Sequence, residues 1–205
     1  VYLIARDAAF VFGVFAEEDR RGEVVSGSRD CPFKSTNGGA KWSSLFGEMT
    51  GFTTKLESLA VDPLKSNILY AGTHRGLFKS RDGGATWPPG LAKLSDCCIH
   101  ALAIDPRRSK TLYAGSQHGV FKSMDAGLTW TPVNSGVTNL ALYSLAINPV
   151  DPRTLYAGAS DSSVFKTTNG GTTWTAVYGG IANSSAMALA VDPQHPDTVY
   201  VGFGG

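Results

Sequence analysis

Apolar positions along this chain come in short runs that are cut by Gly, Pro, Asp and Ser, and within the runs they alternate with small or polar residues. A representative stretch is the segment Leu56 to Val61, closed by Asp62-Pro63, then Leu69-Tyr70-Ala71-Gly72, then Leu77-Phe78-Lys79-Ser80, then Thr86-Trp87. Period-two alternation bounded by turn residues predicts strands, and no long stretch favours a helix. The proline closes the first run because it has no N–H to give to a ladder. Each such stretch therefore reads as four antiparallel strands joined by tight turns.

The stretch repeats. Phe33-Lys34-Ser35-Thr36-Asn37-Gly38-Gly39-Ala40-Lys41-Trp42 returns with its Phe at 78, 121 and 165, and the four tryptophans, Trp42, Trp87, Trp130 and Trp174, are 45, 43 and 44 residues apart. Leu59-Ala60-Val61-Asp62-Pro63 is echoed at 102–106, 145–149 and 189–193, and Leu69-Tyr70-Ala71-Gly72 at 112–115, 155–158 and 199–202. Three registers keep one step over four copies. A four-stranded unit of roughly 40–50 residues, repeated, is a propeller blade, so the predicted class is an all-β propeller of about 4.7 blades. The predicted bounds are a degraded first blade at 10–46, blades at about 57–90, 100–133 and 143–178, and a partial fifth at 187–205, the whole forming one array. In the first copy Phe10 to Ala16 supplies the inner strand, and Glu23 to Gly27 stands where the Leu-Tyr-Ala-Gly strand would be.

The hairpin between third and fourth strands has its own chemistry. Ser and Asp or Asn side chains hydrogen-bond the turn backbone, glycine supplies positive φ, and the Trp covers the turn. These residues resemble the Asp-box, or bacterial neuraminidase repeat, family, which includes sialidases, xyloglucan-degrading glycosidases, sortilin-type receptors and a photosystem assembly factor. The resemblance covers residues 22 to 205 and implies the propeller fold; the unrelated activities of those members mean that it implies no particular function. Asn37, Asp82, Asp125 and Asn169 are thus expected to stabilise turns, and Tyr70, Tyr113, Tyr156 and Tyr200 to be repeated packing residues.

Composition narrows the function classes. Charged residues make up 17%, hydrophobic residues 42%, and the net charge is +1. That is a globular composition with no basic stripe, which argues against a nucleic-acid partner. No apolar run approaches the roughly 20 residues of a membrane-spanning helix, so no membrane partner is expected. The chain does not begin with Met, which leaves a leader or upstream sequence open. Three cysteines, two adjacent, make no disulfide framework and fix no compartment. Unpaired strand edges at the two ends of the array would invite association. Three outcomes fit: Val1 to Asp7 completes the last blade, further copies complete the ring as a homo-oligomer, or the chain is a fragment of a larger propeller.

A site is sought where the chain departs from its repeat. The loops between second and third strands and the entries to the inner strands fall at one end of the blades, and the Asp-box turns at the other. At the first end lie His74, His100, His118 and the cysteines, including Cys97 and Cys98, with Glu57, Asp96 and Tyr143 beside them. These residue types hold zinc and similar divalent metals. The competing reading is ordinary: His100, with counterparts Glu57, Tyr143 and Met187, occupies a variable packing position, and His74 and His118 sit at solvated loop tips. His195, in an Asp-Pro turn at the other end, is expected to have no role.

Three functions compete. A binding scaffold would hold a small-molecule or carbohydrate ligand, or a partner, on the loop end. A metal-dependent hydrolase of esters or phosphoesters would use His74, His100, His118, Cys97 and Cys98 as ligands, with Glu57, Asp96 and Tyr143 catalytic and a metal-bound water of lowered pKa. A glycoside hydrolase follows from the family resemblance alone. Only Arg29 and Arg75 lie in loops where a sialidase arginine triad would be needed. Two carboxylates about 6.5–9.5 Å apart would have to come from Glu57, Asp96, Asp30 and Asp161.

Overall fold

A computed structural model describes residues 15–18, 24–27, 32–45, 55–88, 94, 97–177 and 184–204. Every regular element among them is a strand, and the strands form five antiparallel sheets in chain order. The first sheet holds β1 (Phe15–Glu18), β2 (Val24–Gly27), β3 (Pro32–Ser35) and β4 (Ser43–Ser44). The second holds β5 (Leu56–Val61), β6 (Leu69–Thr73) and β7 (Gly76–Ser80). The third holds β8 (Ile99–Ile104), β9 (Leu112–Ser116), β10 (Gly119–Ser123) and β11 (Thr131–Pro132). The fourth holds β12 (Leu142–Ile147), β13 (Leu155–Ala159), β14 (Val164–Thr167) and β15 (Thr175–Ala176). The last holds β16 (Ser185–Val191) and β17 (Val199–Gly204). Two compact units divide the chain, Val1–Ile99 and His100–Gly205.

In the first sheet the strand expected at Phe10 to Ala16 is found at β1, from Phe15; residues 10–14 lie outside the described ones, as do Val1 to Asp7. The short fourth strands follow the Trp rather than start at it, as at Thr131 and Thr175. The second sheet has no fourth strand among its described residues. Pro88 stands there in the place of Thr131 and Thr175, and it has no N–H to offer β7.

Packing follows from the repeat. The second strands β6, β9 and β13 are buried at every position, so both of their faces are covered. Leu69, Leu112 and Leu155 are at most 1% exposed, and such burial contributes about 1.5–3 kcal/mol per side chain relative to an exposed one. In the second unit, β16 lies against β12 and β13, and β9 against β12. Small residues set the spacing of these sheets: a Cβ on Gly158 would stand 2.7 Å from the Ala186 carbonyl oxygen and 2.8 Å from its Cβ. Beside it the Ser144 hydroxyl donates to that same carbonyl at 2.7 Å, and Ser58 makes the matching bond to the Ile99 carbonyl at 3.1 Å in the first unit.

The box turns are built almost identically. In the second sheet the Ser80 hydroxyl donates to Asp82 Oδ1 at 2.8 Å and accepts the Gly84 N–H at 2.8 Å, while Asp82 Oδ1 accepts the Thr86 N–H at 2.9 Å. Ser123 and Asp125 repeat this set, as do Thr167 with Asn169 and Ser35 with Asn37. The first turn position needs positive φ, which Gly38, Gly83 and Gly170 supply at 66°, 71° and 69°. Ala126 holds it at 62°. The indoles of Trp87 and Trp130 donate to the Gly84 and Gly127 carbonyls, closing their own turns. Trp174 reaches the Val133 carbonyl of the preceding sheet instead, at 2.8 Å. Trp42 is left 40% exposed.

Candidate functional site

The second, third and fourth sheets each have two unlike ends. At one end the box turn is tied to the turn that follows Asp-Pro: the Gly83 N–H donates to the Asn67 carbonyl, and Ala126 and Gly170 repeat this with Lys110 and Arg153. At the other end the entry to the inner strand meets the loop between second and third strands. There the His74 N–H donates to the Lys55 carbonyl at 3.2 Å, and the Ser160 N–H donates to the Ala141 carbonyl at 3.0 Å. The loop tips are shaped by Thr73 and Ser116, whose hydroxyls donate to the Gly76 and Gly119 carbonyls and accept the Arg75 and His118 N–H groups. A short hydroxyl and a glycine at φ of 101° or 99° are enough to close that tip.

The inner strands enter this end through a break in their ladders. Pairing of β5 with β6 shifts between Leu56 and Ser58, that of β12 with β13 between Leu142 and Ser144, and that of β16 with β17 between Ala186 and Ala188. The bulged residues are Glu57, Tyr143 and Met187, and His100 holds the same place in the repeat. All four are partly exposed while the residues before them, Leu56, Ile99, Leu142 and Ala186, are buried. A bulge leaves one residue out of the ladder and re-aims its side chain. The sequence marks this position as variable, but its alternation alone gives no sign of the extra residue.

In the first unit, Glu57 Oε1 and His74 Nε2 are 2.5 Å apart, an ion pair when the imidazole is protonated. Cys98 lies beside them, its thiol 3.8 Å from the His74 carbonyl. Burial, and then the Glu57 carboxylate, push the Cys98 thiol above its usual range. It stays protonated, which makes it a poor nucleophile and a poor metal ligand. Cys97 is also half-buried, and its N–H donates to the Leu94 carbonyl at 3.3 Å. Asp96, Asp30 and Cys31 lie outside the described residues.

In the second unit the His100 and Tyr143 rings lie 5.0 Å apart, tilted by 40°. His118 is exposed at its loop tip. The fourth sheet has a longer loop here, and serines brace it. Asn139 donates to the Ser160 hydroxyl, Ser185 to the Ser160 carbonyl, and Ser162 and Ser184 exchange two bonds. Ser162 carries the positive φ, 69°, that glycine carries in the other loops. Burial raises the Asp161 carboxyl in this loop, but hydrogen bonds from Asn139 and Ser163 outweigh it and hold the group below its usual range. These serines carry no signal in the sequence beyond turn composition.

The expected metal ligands divide between the two units, with His74, Cys97 and Cys98 in the first and His100 and His118 in the second. Among the described residues no group of three or more His, Cys, Asp or Glu side chains is gathered to hold a metal ion. What the geometry does assemble is a hydrogen-bonded Glu57–His74 pair and an aromatic His100–Tyr143 pair, each at a bulge.

The chain matches no family model, and no curated protein matches it. Solved structures do resemble it. An ancestral GH74 enzyme superposes with a TM-score of 0.74 at 23% identity, over 94% of this chain and 27% of that one. The GH74 xyloglucanase of Xanthomonas campestris gives a TM-score of 0.72 at 18% identity, over 95% of this chain and 34% of its own. YCF48 bound to D1 peptide gives 0.62 at 13% identity, over 90% of this chain and 59% of that one. The chain thus spans about a third or less of the length of these GH74 enzymes. With four-stranded antiparallel sheets repeated along it and neighbours of this kind, the protein is an all-β protein of the propeller class.

Proposed function

We propose that this chain is a binding module whose ligand or partner meets the bulged ends of the inner strands. The observation that carries the reading is the bulge repeated at Glu57, Tyr143 and Met187, where the scaffold is constant and the presented side chain changes from sheet to sheet. In the second unit these positions, with His100, offer an imidazole, a phenol and a thioether, and in the first unit Glu57 offers a carboxylate. Aromatic faces next to hydrogen-bonding groups suit a carbohydrate or another small polar ligand. We read the box turns as Asp-boxes, on the strength of four copies with one hydrogen-bond pattern.

Glycoside hydrolysis is the competing reading, favoured by the GH74 likeness. A general acid for that reaction needs a carboxyl held protonated near neutral pH. Asp161 is held ionised, and Glu57 is tied to His74. Each unit contributes only one of these carboxylates among its described loop-end residues.

Calorimetric titration with xyloglucan oligosaccharides tests the module directly. Saturable binding is expected, weakened roughly tenfold by Tyr143→Ala, in line with the loss of one aromatic contact. His74→Ala should leave stability within about 0.5 kcal/mol, as for an exposed side chain. Release of reducing ends that Asp161→Asn or Glu57→Gln abolishes would replace this reading with the hydrolase. Stoichiometric metal lost on a His74→Ala, His100→Ala double change would replace it with the metal-dependent one.

A further inference from the structure

The first box turn differs from the other three in the residue that closes its side-chain bonds. Lys41 stands where Thr86, Thr129 and Thr173 stand in the later copies. In the second and third turns that threonine hydroxyl donates to the aspartate, and in the fourth it accepts from the side-chain amide of Asn169. Lys41 has no hydroxyl with which to accept. Asn37 Oδ1 is engaged by the Ser35 hydroxyl and the Lys41 N–H. The side-chain NH2 group of Asn37 is therefore left without a partner among the described residues.

A cavity of about 310 Å³ opens at this turn, lined by Lys34, Thr36, Asn37, Lys41, Ser43 and Leu45, all within the first unit. Its one apolar wall, Leu45, packs on the core of the second sheet, where a Cβ on Gly84 would stand 2.7 Å from Leu45 Cδ1. Lys34 reaches the same neighbour, its Nζ 3.6 Å from where a Gly83 Cβ would be. An ammonium donates in several directions, so a contact with that turn leaves donors for the cavity. The lining is rich in donors: two ammonium groups, an amide NH2 and two hydroxyls. Their own segment supplies no carboxylate to answer them, since residues 32–45 contain no Asp or Glu. Asp82 of the neighbouring turn is engaged by Ser80 and Thr86.

We infer that this cavity is a binding site for the phosphomonoester of a small polyol. Its two ammonium groups balance a phosphate that carries about −1.5 to −2 charges near neutral pH. Lysine suits that group as a point charge, whereas a planar carboxylate is met best by the forked arginine side chain. No arginine is among the lining residues. The Asn37 amide adds a directed donor to a phosphate oxygen. The Thr36 and Ser43 hydroxyls both donate and accept, so they fit the hydroxyls of the ligand, and Leu45 covers its carbon chain. Ligand pockets run from roughly 300 to 1,000 Å³, so a cavity of this size takes a small molecule. The site lies at the box end and is independent of the loop-end reading.

The probe is glycerophosphate, titrated calorimetrically against the full chain, with glycerate, glycerol and inorganic phosphate for comparison. Saturable binding of glycerophosphate is expected, weaker binding of glycerate and inorganic phosphate, and none of glycerol. Lys34→Met should weaken binding about tenfold, the scale of one charge-assisted hydrogen bond. Lys41→Thr restores the residue of the other turns, so it should fold as they do. It removes one charge and returns an acceptor to the Asn37 amide, and should weaken binding by more than Lys34→Met does. In nitrogen-edited NMR the Asn37 side-chain NH2 signals should shift on binding to the native chain and stay in place in Lys41→Thr. Absence of saturable binding overturns the proposal, as does equal affinity for Lys41→Thr or an Asn37 amide that does not respond. Glycerate binding as tightly as glycerophosphate overturns the phosphate, and inorganic phosphate binding as tightly overturns the polyol.

Discussion

The box end and the loop end of each sheet are made from the same strands, yet they differ in what the repeat holds constant. At the box end the Ser or Thr hydroxyl, the Asp or Asn carboxyl or amide oxygen and the glycine N–H recur within about a tenth of an ångström in the second and third sheets. At the loop end the bulge and the tip closure by Thr73 and Ser116 recur, but the bulged position carries Glu57, Tyr143 or Met187, with His100 in the same place of the repeat. Constancy marks the part of the sheet that must fold before anything else can be presented. Variation at a structurally fixed position is what the proposed binding module requires, because a bulge costs the same ladder bond whichever side chain it carries.

If that division is right, the largest stability losses come from the box end and the sheet interfaces. Trp130 is 7% exposed and its indole closes the turn on the Gly127 carbonyl. Trp130→Ala should cost about 3–5 kcal/mol in denaturant unfolding while leaving ligand affinity of the folded protein intact. Trp42, 40% exposed in the same motif, should cost roughly half of that or less when truncated. Equal losses at the two tryptophans would show that the motif stabilises locally, whatever packs on it. Gly158→Ala comes next, at about 1–3 kcal/mol, because its methyl must displace the Ser144–Ala186 contact. A neutral Gly158→Ala would mean that the sheets of the second unit are not as close as they stand here.

Much of the fold is legible in the sequence because its signals are local and repeated. Asp62-Pro63, Leu69 to Gly72 and Trp87 each name a turn, a buried strand and a cap without reference to distant residues. The candidate site is less legible for the opposite reason. His74, His100, His118, Cys97 and Cys98 stand out by residue type, but which of them meet depends on tertiary placement. Glu57 turns to His74, and His100 to Tyr143. Nor does alternation reveal a bulge: a strand with one extra residue reads as a strand with one odd side chain. Pro88 shows the same limit, since the residue pattern asks for a fourth strand where Pro88 has no N–H to give β7 and none is found among the described residues.

A gain of stability sharpens the comparison from the other side. Ala126 holds φ at 62° where the other box turns use glycine. The left-handed conformation costs a non-glycine residue roughly 1–2 kcal/mol, and glycine gives back about 0.4–1 kcal/mol through unfolded-state entropy. Ala126→Gly should therefore stabilise by about 0.5–1 kcal/mol in urea unfolding. A loss instead would mean that the methyl makes a contact worth more than the strain.

The smallest effect is a pH dependence confined to two of the four box turns. Hydrogen bonds from the Thr86 side chain and backbone and from Ser80 lower the Asp82 carboxyl to about 2, and those from Thr129 and Ser123 do the same for Asp125, also to about 2. A carboxyl depressed in the folded state contributes stability that is present above its unfolded value near 4 and is lost as pH falls toward 2. The turns built on Asn37 and Asn169 have no such group. In Asn169 the amide donates to the Thr173 hydroxyl at 2.8 Å, in place of the Thr hydroxyl donating to a carboxylate, and Oδ1 still accepts the Thr173 N–H. Asp82→Asn and Asp125→Asn together should therefore fold, since the chain already uses that amide twice. Thermal midpoints measured at pH 5 and pH 2.5 should fall further for the native chain than for the double variant. Asp161 and Asp192, also lowered, leave a residual slope in both. Identical slopes would show that the aspartates bind their threonines no better charged than neutral, and that the two kinds of box turn are electrostatically the same.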